Sequence, residues 1–152
     1  ASSWHKSVWR TDLTAMRSLA YVGEVIENHS DENAVVAGCN GVFALEAQRE
    51  HALAFGGAPF TYTPGWAEEQ CRAFGGMNNK MIIREIVNQE IDVLLLEKDS
   101  FGMGFPGFYP VSEECTRDIW EAIELNYIPV AKLRSIGSGE MDLVMYIPGS
   151  SS

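Results

Sequence analysis

Two short, unbroken apolar runs constrain this chain more than any other feature: Ala34–Ala37 (AVVA) and the Val-Leu-Leu-Leu of Asp92–Leu96 (DVLLL). A strand with one wet face alternates apolar and polar residues, whereas a strand covered on both faces reads as a continuous apolar run. Both runs stop abruptly. The first ends in the turn Gly38-Cys39-Asn40-Gly41, and the second in Glu97-Lys98-Asp99 and a loop of glycines and aromatics that reaches Pro110. Buried strands of this kind need helical cover, and the intervening sequence supplies it.

In TDLTAMRSLAYVGEVIENHS, residues Leu13, Met16, Ala20 and Ile26 fall roughly on one helical stripe, with Thr11 or Asp12 as N-cap and Asn28–Asn33 as a polar stop. A second helix is expected over Val42–Ala54 and a short edge strand near Pro59–Thr63. A brief helix over Trp66–Phe74 is closed by Gly75-Gly76. Asn78 or Asn79 then caps a helix with Ile82, Ile83, Ile86 and Val87 on its apolar face. Ser112 caps another helix whose first turn, Glu113-Glu114, complements the helix dipole and whose inward stripe is Cys115, Ile119 and Ile123. Tyr127–Ile136 and Met141–Ile147 read as strands of a hairpin around Gly137-Ser138-Gly139-Glu140. The fold class is therefore α/β: a Rossmann-like three-layer sandwich, its sheet mostly parallel, with inner strands parallel and an antiparallel edge from the C-terminal hairpin. Without repeats or linkers, residues 11–148 read as one domain, 1–10 as an N-terminal arm or juxtamembrane remnant, and 149–152 as a tail.

Charge narrows the function. Eleven basic against 21 acidic side chains give a net charge of -10, which argues against nucleic-acid binding because that needs clustered Lys and Arg. Cys39, Cys71 and Cys115 are widely spaced and form no CxxC or Cys–His metal pattern, so no metal site and no cofactor is expected. One disulfide remains open, and at least one thiol is unpaired within the chain. No apolar run reaches the roughly 20 residues that a membrane-spanning helix needs.

In open α/β sheets, ligands bind beyond the carboxyl ends of the strands. That rule selects two stretches. Gly38, Cys39, Asn40 and Gly41 form a strand-to-helix turn able to offer backbone N–H groups to an anion, or simply a tight βα connection; it has neither GxGxxG nor a phosphate-loop Lys-Ser/Thr. Cys39 at a helix start has the setting of an activated thiol, with His5, His29 and His51 as candidate bases that nothing in the sequence places beside it. Glu97 and Asp99 would share a face if their strand continued, as paired acid/base groups or metal ligands do, or would be solubilising residues. Phe101, Phe105, Phe108 and Tyr109, spaced by Gly102, Gly104 and Gly107, form either a lid or partner-facing loop or a loop folded down over the sheet end. Glu46 and Glu50, four apart, read as a solvated helix face. Trp4, Lys6, Trp9 and Arg10 fit an interfacial belt or an arm packed on the domain.

The order of these elements resembles a known family. Ala44–Phe55 (ALEAQREHALAF), the aromatic FTYTPGW, the helix-then-strand unit IVNQEIDVLLLEKDS and the closing Leu125–Pro148 with its Tyr-x-Pro-Val strand are similar to the soluble extracytoplasmic domain that follows the last membrane helix in many polytopic glycosyltransferases using polyprenyl-phosphate sugars. In that family the catalytic acid sits in loops between membrane helices, so the resemblance carries no catalytic residue onto this chain. It implies an accessory domain on the extracytoplasmic face of a membrane, with a parent membrane domain and a glycan or lipid-linked acceptor as partners. The alternatives are a free-standing small enzyme or ligand-binding protein in the cytoplasm, with its site at the strand carboxyl ends, and a protein-interaction module.

Overall fold

The computed structural model describes residues 17–38, 42–52, 61–105, 107, 109–136 and 140–150. It is mixed α/β. Helix α1 is described over residues 17–28. Then come β1 (Val35–Gly38), α2 (Val42–Glu46), β2 (Glu50–His51), α3 (Glu68–Phe74), α4 (Asn79–Val87), β3 (Val93–Leu96), β4 (Met103–Gly104), β5 (Tyr109–Pro110), α5 (Glu113–Asn126), β6 (Tyr127–Ile136) and β7 (Met141–Pro148).

The capping chemistry operates as the sequence suggests. Asn78 accepts a hydrogen bond from the Met81 N–H at the start of α4, and Ser112 accepts one from the Cys115 N–H at the start of α5. Details of the helical stripes differ. In α1 the buried positions are Val22 and Ile26 with Leu19 and Val25 beside them, while Ala20 is exposed; Thr11 to Met16 lie outside the described residues. In α4 the stripe centres on Ile82 and Ile86, which rotates the last residue, Val87, into solvent.

The largest departure from expectation is α2, which ends at Glu46 instead of running to Ala54. Gln48 adopts a positive φ of 54° and the Arg49 N–H closes back on the Ala44 carbonyl at 2.9 Å. The Arg49 guanidinium donates to the Ala47 carbonyl, 2.9 Å, and to the Ser30 hydroxyl and carbonyl, both 3.3 Å. The chain is thereby turned to lay Glu50 and His51 alongside Val35 and Val36 of β1. Helix-forming side chains lose here to a tertiary demand: the outer backbone edge of β1 needs partners. Glu46 and Glu50 consequently share no helix face.

The five-stranded sheet has the order β2-β1-β3-β7-β6. β1 pairs in parallel with β2 and β3, while β7 is antiparallel to both β3 and β6. Four strands thus point one way, and only β7 opposes them. The antiparallel strand is internal and not the expected edge, because β6 lands one position beyond β3 and its hairpin partner fills the gap. β6 forms the outer edge, with exposed Pro129, Lys132 and Arg134, residue types that discourage pairing with another strand.

β3 is buried at every position. Leu94 and Leu96 join a cluster with Ile82 and Ile86 of α4 and Ile119 and Ile123 of α5. Val93 and Leu95 join a second cluster with Val22 and Ile26 of α1, Phe43 of α2 and Ala47 just after it. This is the physical meaning of the unbroken VLLL run: successive side chains enter different clusters, and each finds apolar cover.

Candidate functional site

Gly38 is the last residue of β1 and lies in register with Leu95 of β3, so the two sequence-selected stretches begin side by side. A Cβ at position 38 would stand 3.2 Å from the Leu95 carbonyl oxygen and 3.3 Å from Leu95 Cβ, so glycine here permits the close approach of the two strands. From β1 the chain enters α2, which packs in the cluster holding Leu95. After β3 and its loop it enters α5, which packs in the cluster holding Leu94 and Leu96. Adjacent strands whose connections depart to different helices in this way open a crevice at their carboxyl ends. Cys39, Asn40 and Gly41, including the proposed thiol, lie outside the described residues.

Glu97 and Asp99 do not form a strand-face pair. β3 ends at Leu96, and residues 98–100 turn. The Glu97 N–H donates to the Ser100 hydroxyl at 2.8 Å, and the Ser100 N–H returns to the Glu97 carbonyl at 3.2 Å. The serine side chain takes the N–H that a longer strand would use for its ladder. Among the described residues no cluster of three or more His, Cys, Asp or Glu side chains suits a metal ion.

The candidate bases are elsewhere. His29 follows the end of α1, exposed, with its Nδ1 2.8 Å from the Val25 carbonyl. His51 is in β2, in register with Val36; burial lowers its pKa below the ordinary 6.5, and among the described residues its buried Nε2 has no hydrogen-bond partner. His5 lies outside the described residues.

The glycine-aromatic loop is folded onto the sheet end. Phe101 is only 4% exposed and meets Tyr62 and Trp120 edge to face, each at 5.9 Å between ring centroids. It anchors the loop and is withdrawn from any partner. β4 and β5 form a small antiparallel ribbon, and the Phe105 N–H donates to the Tyr62 carbonyl at 2.7 Å. Gly104 is buried beneath Tyr109 and Pro64: a Cβ there would meet the Tyr109 ring at 3.0 Å and Pro64 at 3.1 Å. Phe105 is half-buried and Phe108 is outside the described residues. Among the described residues of the loop, Tyr109 and Met103 are the large apolar side chains presented to solvent, 37% and 41% exposed.

The segment that supports this loop, residues 61–66, reads in sequence as part of an edge strand without a site role; among the described residues it forms only an isolated bridge between Tyr62 and Met77. The Tyr62 hydroxyl donates to Asn79 Oδ1, and Asn79 Nδ2 donates to the Cys115 carbonyl at 3.0 Å, joining the segment to α4 and α5. Burial pushes the Tyr62 phenol well above its ordinary pKa, with Cys115 and Tyr109 adding to the effect, so it remains a neutral donor. The Thr63 N–H donates to the Met77 carbonyl at 2.8 Å, and its hydroxyl lies 3.2 Å from the buried Cys71 sulfur. The available signal was FTYTPGW itself, whose aromatics demand apolar cover. Cys71 and Cys115 are free thiols, which removes a disulfide between those two.

A separate open groove of about 830 Å³ lies at the opposite end of the sheet, between residues 28–34, Asp92, Ile147 and Pro148. There the Asp92 carboxylate accepts the Val35 N–H at 2.8 Å while the Asp92 N–H donates to the Val35 carbonyl at 2.9 Å, so this acid staples β1 to the start of β3. The carboxyl edge beyond Gly38 and Leu96 is the better candidate because sheet polarity and chain connections converge there.

Fold and site together define a mixed α/β domain with its candidate binding edge at the carboxyl ends of β1 and β3. No protein-family model, curated protein or solved structure matches the chain. Among the described residues no helix is long and apolar enough to cross a membrane.

Proposed function

We propose that this chain is an accessory, non-catalytic α/β domain of a membrane glycosyltransferase-like protein, lying on the extracytoplasmic face and binding a glycan or lipid-linked acceptor at the carboxyl edge of its sheet. The observation that carries the binding reading is the register of Gly38 with Leu95, combined with chain connections that leave β1 and β3 for different helices. In this reading the domain is a three-layer sandwich, supported by the alternation of β3 side chains between the α1/α2 and α4/α5 clusters. Its role is binding, not chemistry, because Glu97 and Asp99 sit on a turn and the Tyr62 phenol is held neutral. The parent membrane domain is the expected partner in cis.

Two measurements test the proposal. In a ¹H–¹⁵N NMR titration with neutral oligosaccharides and a short-chain polyprenyl phosphate, the amides of Gly38 and of residues 97–102 shift saturably. Shifts confined to the groove at residues 28–34 would move the site to the other end of the sheet. The sequence encoded upstream of residue 1 is expected to contain hydrophobic spans, and their absence would sink the membrane-protein reading. Binding of a protein partner through Met103 and Tyr109, with no response to either ligand, would favour an interaction module.

A further inference from the structure

We infer that β2 is a strand released by acid: protonation of His51 detaches residues 50–52 from β1 and uncovers the outer backbone edge of the strand that carries Gly38. The inference does not depend on which ligand the carboxyl edge takes. β2 is two residues long, paired to β1 through Val35 with Glu50 and Val36 with His51, and the Ala52 N–H donates to the Val36 carbonyl at 2.9 Å. Residues in register share a sheet face, so the His51 ring lies on the side of Val36, which packs in the α1/α2 cluster. The ring is half-buried, and among the described residues its Nε2 is the one enclosed side-chain nitrogen or oxygen without a hydrogen-bond partner. A neutral imidazole tolerates this, because its Nε2 can present a bare lone pair. An imidazolium carries N–H groups on both nitrogens, and a charged donor enclosed without an acceptor is strongly unfavourable. The proton is therefore taken up when Nε2 meets water.

The surroundings supply no counter-charge for that proton. β1 has no ionisable side chain, and residues 53–60, which follow β2, have none either. α2 contributes Glu46, exposed, with its Cγ against Gly23 of α1. α1 contributes Arg17, Glu24 and Glu27, all exposed. On β2 itself Glu50 is exposed and in register with Val35, on the opposite sheet face from His51. The Arg49 guanidinium is occupied by the Ala47 carbonyl and by the Ser30 hydroxyl and carbonyl. Burial alone lowers the His51 pKa from 6.5. The turn before β2 is built to open locally. Gln48 holds a left-handed φ of 54°, which a side chain other than glycine adopts under strain, while Arg49 stays pinned to the segment after α1. Release is thereby confined to the residues beyond Arg49.

The test is amide hydrogen exchange of the full chain, followed by NMR at pH 7, 6 and 5 and corrected for the intrinsic pH dependence of exchange. An opening that admits one proton leaves Ala52 protection flat above about pH 6.5 and lowers it by up to about tenfold per pH unit below, until the closed-state pKa is reached. The amides of β3 and β7 keep their protection over the same range, and the His51 ring C–H signals titrate in step with Ala52. His51→Phe, which has no proton to take up, abolishes the pH dependence at Ala52. Should that variant not fold, the titration of His51 set against Ala52 exchange in the unaltered chain decides. A ring that titrates while Ala52 stays protected overturns the inference, because the side chain then swings out alone. Equal losses in β3 and β7 overturn it as well, since the whole domain then opens, as does an unchanged pH dependence of Ala52 in His51→Phe.

Discussion

Phe101 is where the readings of the glycine-aromatic loop separate most sharply, and Phe101→Ala measures the difference. An aromatic that waits for a partner costs little to remove, whereas one that anchors a loop in the core costs a great deal. Phe101 is 4% exposed, so truncation forfeits nearly the full transfer free energy of the side chain, about 1.5–3 kcal/mol. It also removes edge-to-face contacts with Tyr62 and Trp120, about 0.5–1.5 kcal/mol each and not strictly additive. With partial collapse of the cavity the expected loss is about 4 kcal/mol, inside the range for Phe→Ala in a core. For a chain of 152 residues this corresponds to a fall in Tm of about 8–16 °C. Phe101→Leu keeps most of the volume and should lose only about 1–1.5 kcal/mol. Urea unfolding monitored by circular dichroism reads both variants. A loss below about 1 kcal/mol for Phe101→Ala at unchanged m would refute the anchoring argument and return the ring to the surface.

Three further outcomes follow from the same structure. Asn78→Ala removes both the α4 cap and the hydrogen bond to the Trp66 carbonyl, and should cost about 1–3 kcal/mol while broadening the Trp66 indole resonance; a silent substitution would mean that Asn78 holds neither. Tyr127→Phe removes the hydroxyl that donates to the Ile91 carbonyl at 2.7 Å, and should cost about 1–2 kcal/mol by leaving a buried acceptor unpaired, measured as a lower urea midpoint. For His51 the folded-state pKa is lowered from 6.5, so in the pH range just below 6.5 the unfolded chain binds a proton that the folded chain refuses. Its contribution is present above 6.5 and is lost as pH falls through that value toward the folded pKa. Urea midpoints compared at pH 7, 6 and 5 should show a smaller fall for His51→Phe than for the unaltered chain, and parallel curves would contradict the buried, neutral assignment.

What the sequence determined by itself was everything governed by neighbours along the chain. The VLLL run demanded cover on both faces, Asn78 or Asn79 and Ser112 marked helix starts, and the breaks after Ala37 and Leu96 located the strand ends to within a residue. These follow from side-chain alternation and from backbone groups at helix ends that need partners within a few residues. Only the tertiary structure decided what depended on distant partners. α2 stops at Glu46 because β1 requires a neighbour on its outer edge and Arg49 reaches Ser30. β7 lies inside the sheet because β6 is carried past it. Phe101 is core and Phe74 is surface, a contrast no local pattern distinguishes, because Tyr62 and Trp120 come from segments far away in sequence to cover the one ring. Burial depends on which segments meet in space, and it divides the described aromatics into those that hold the carboxyl edge together and those left exposed.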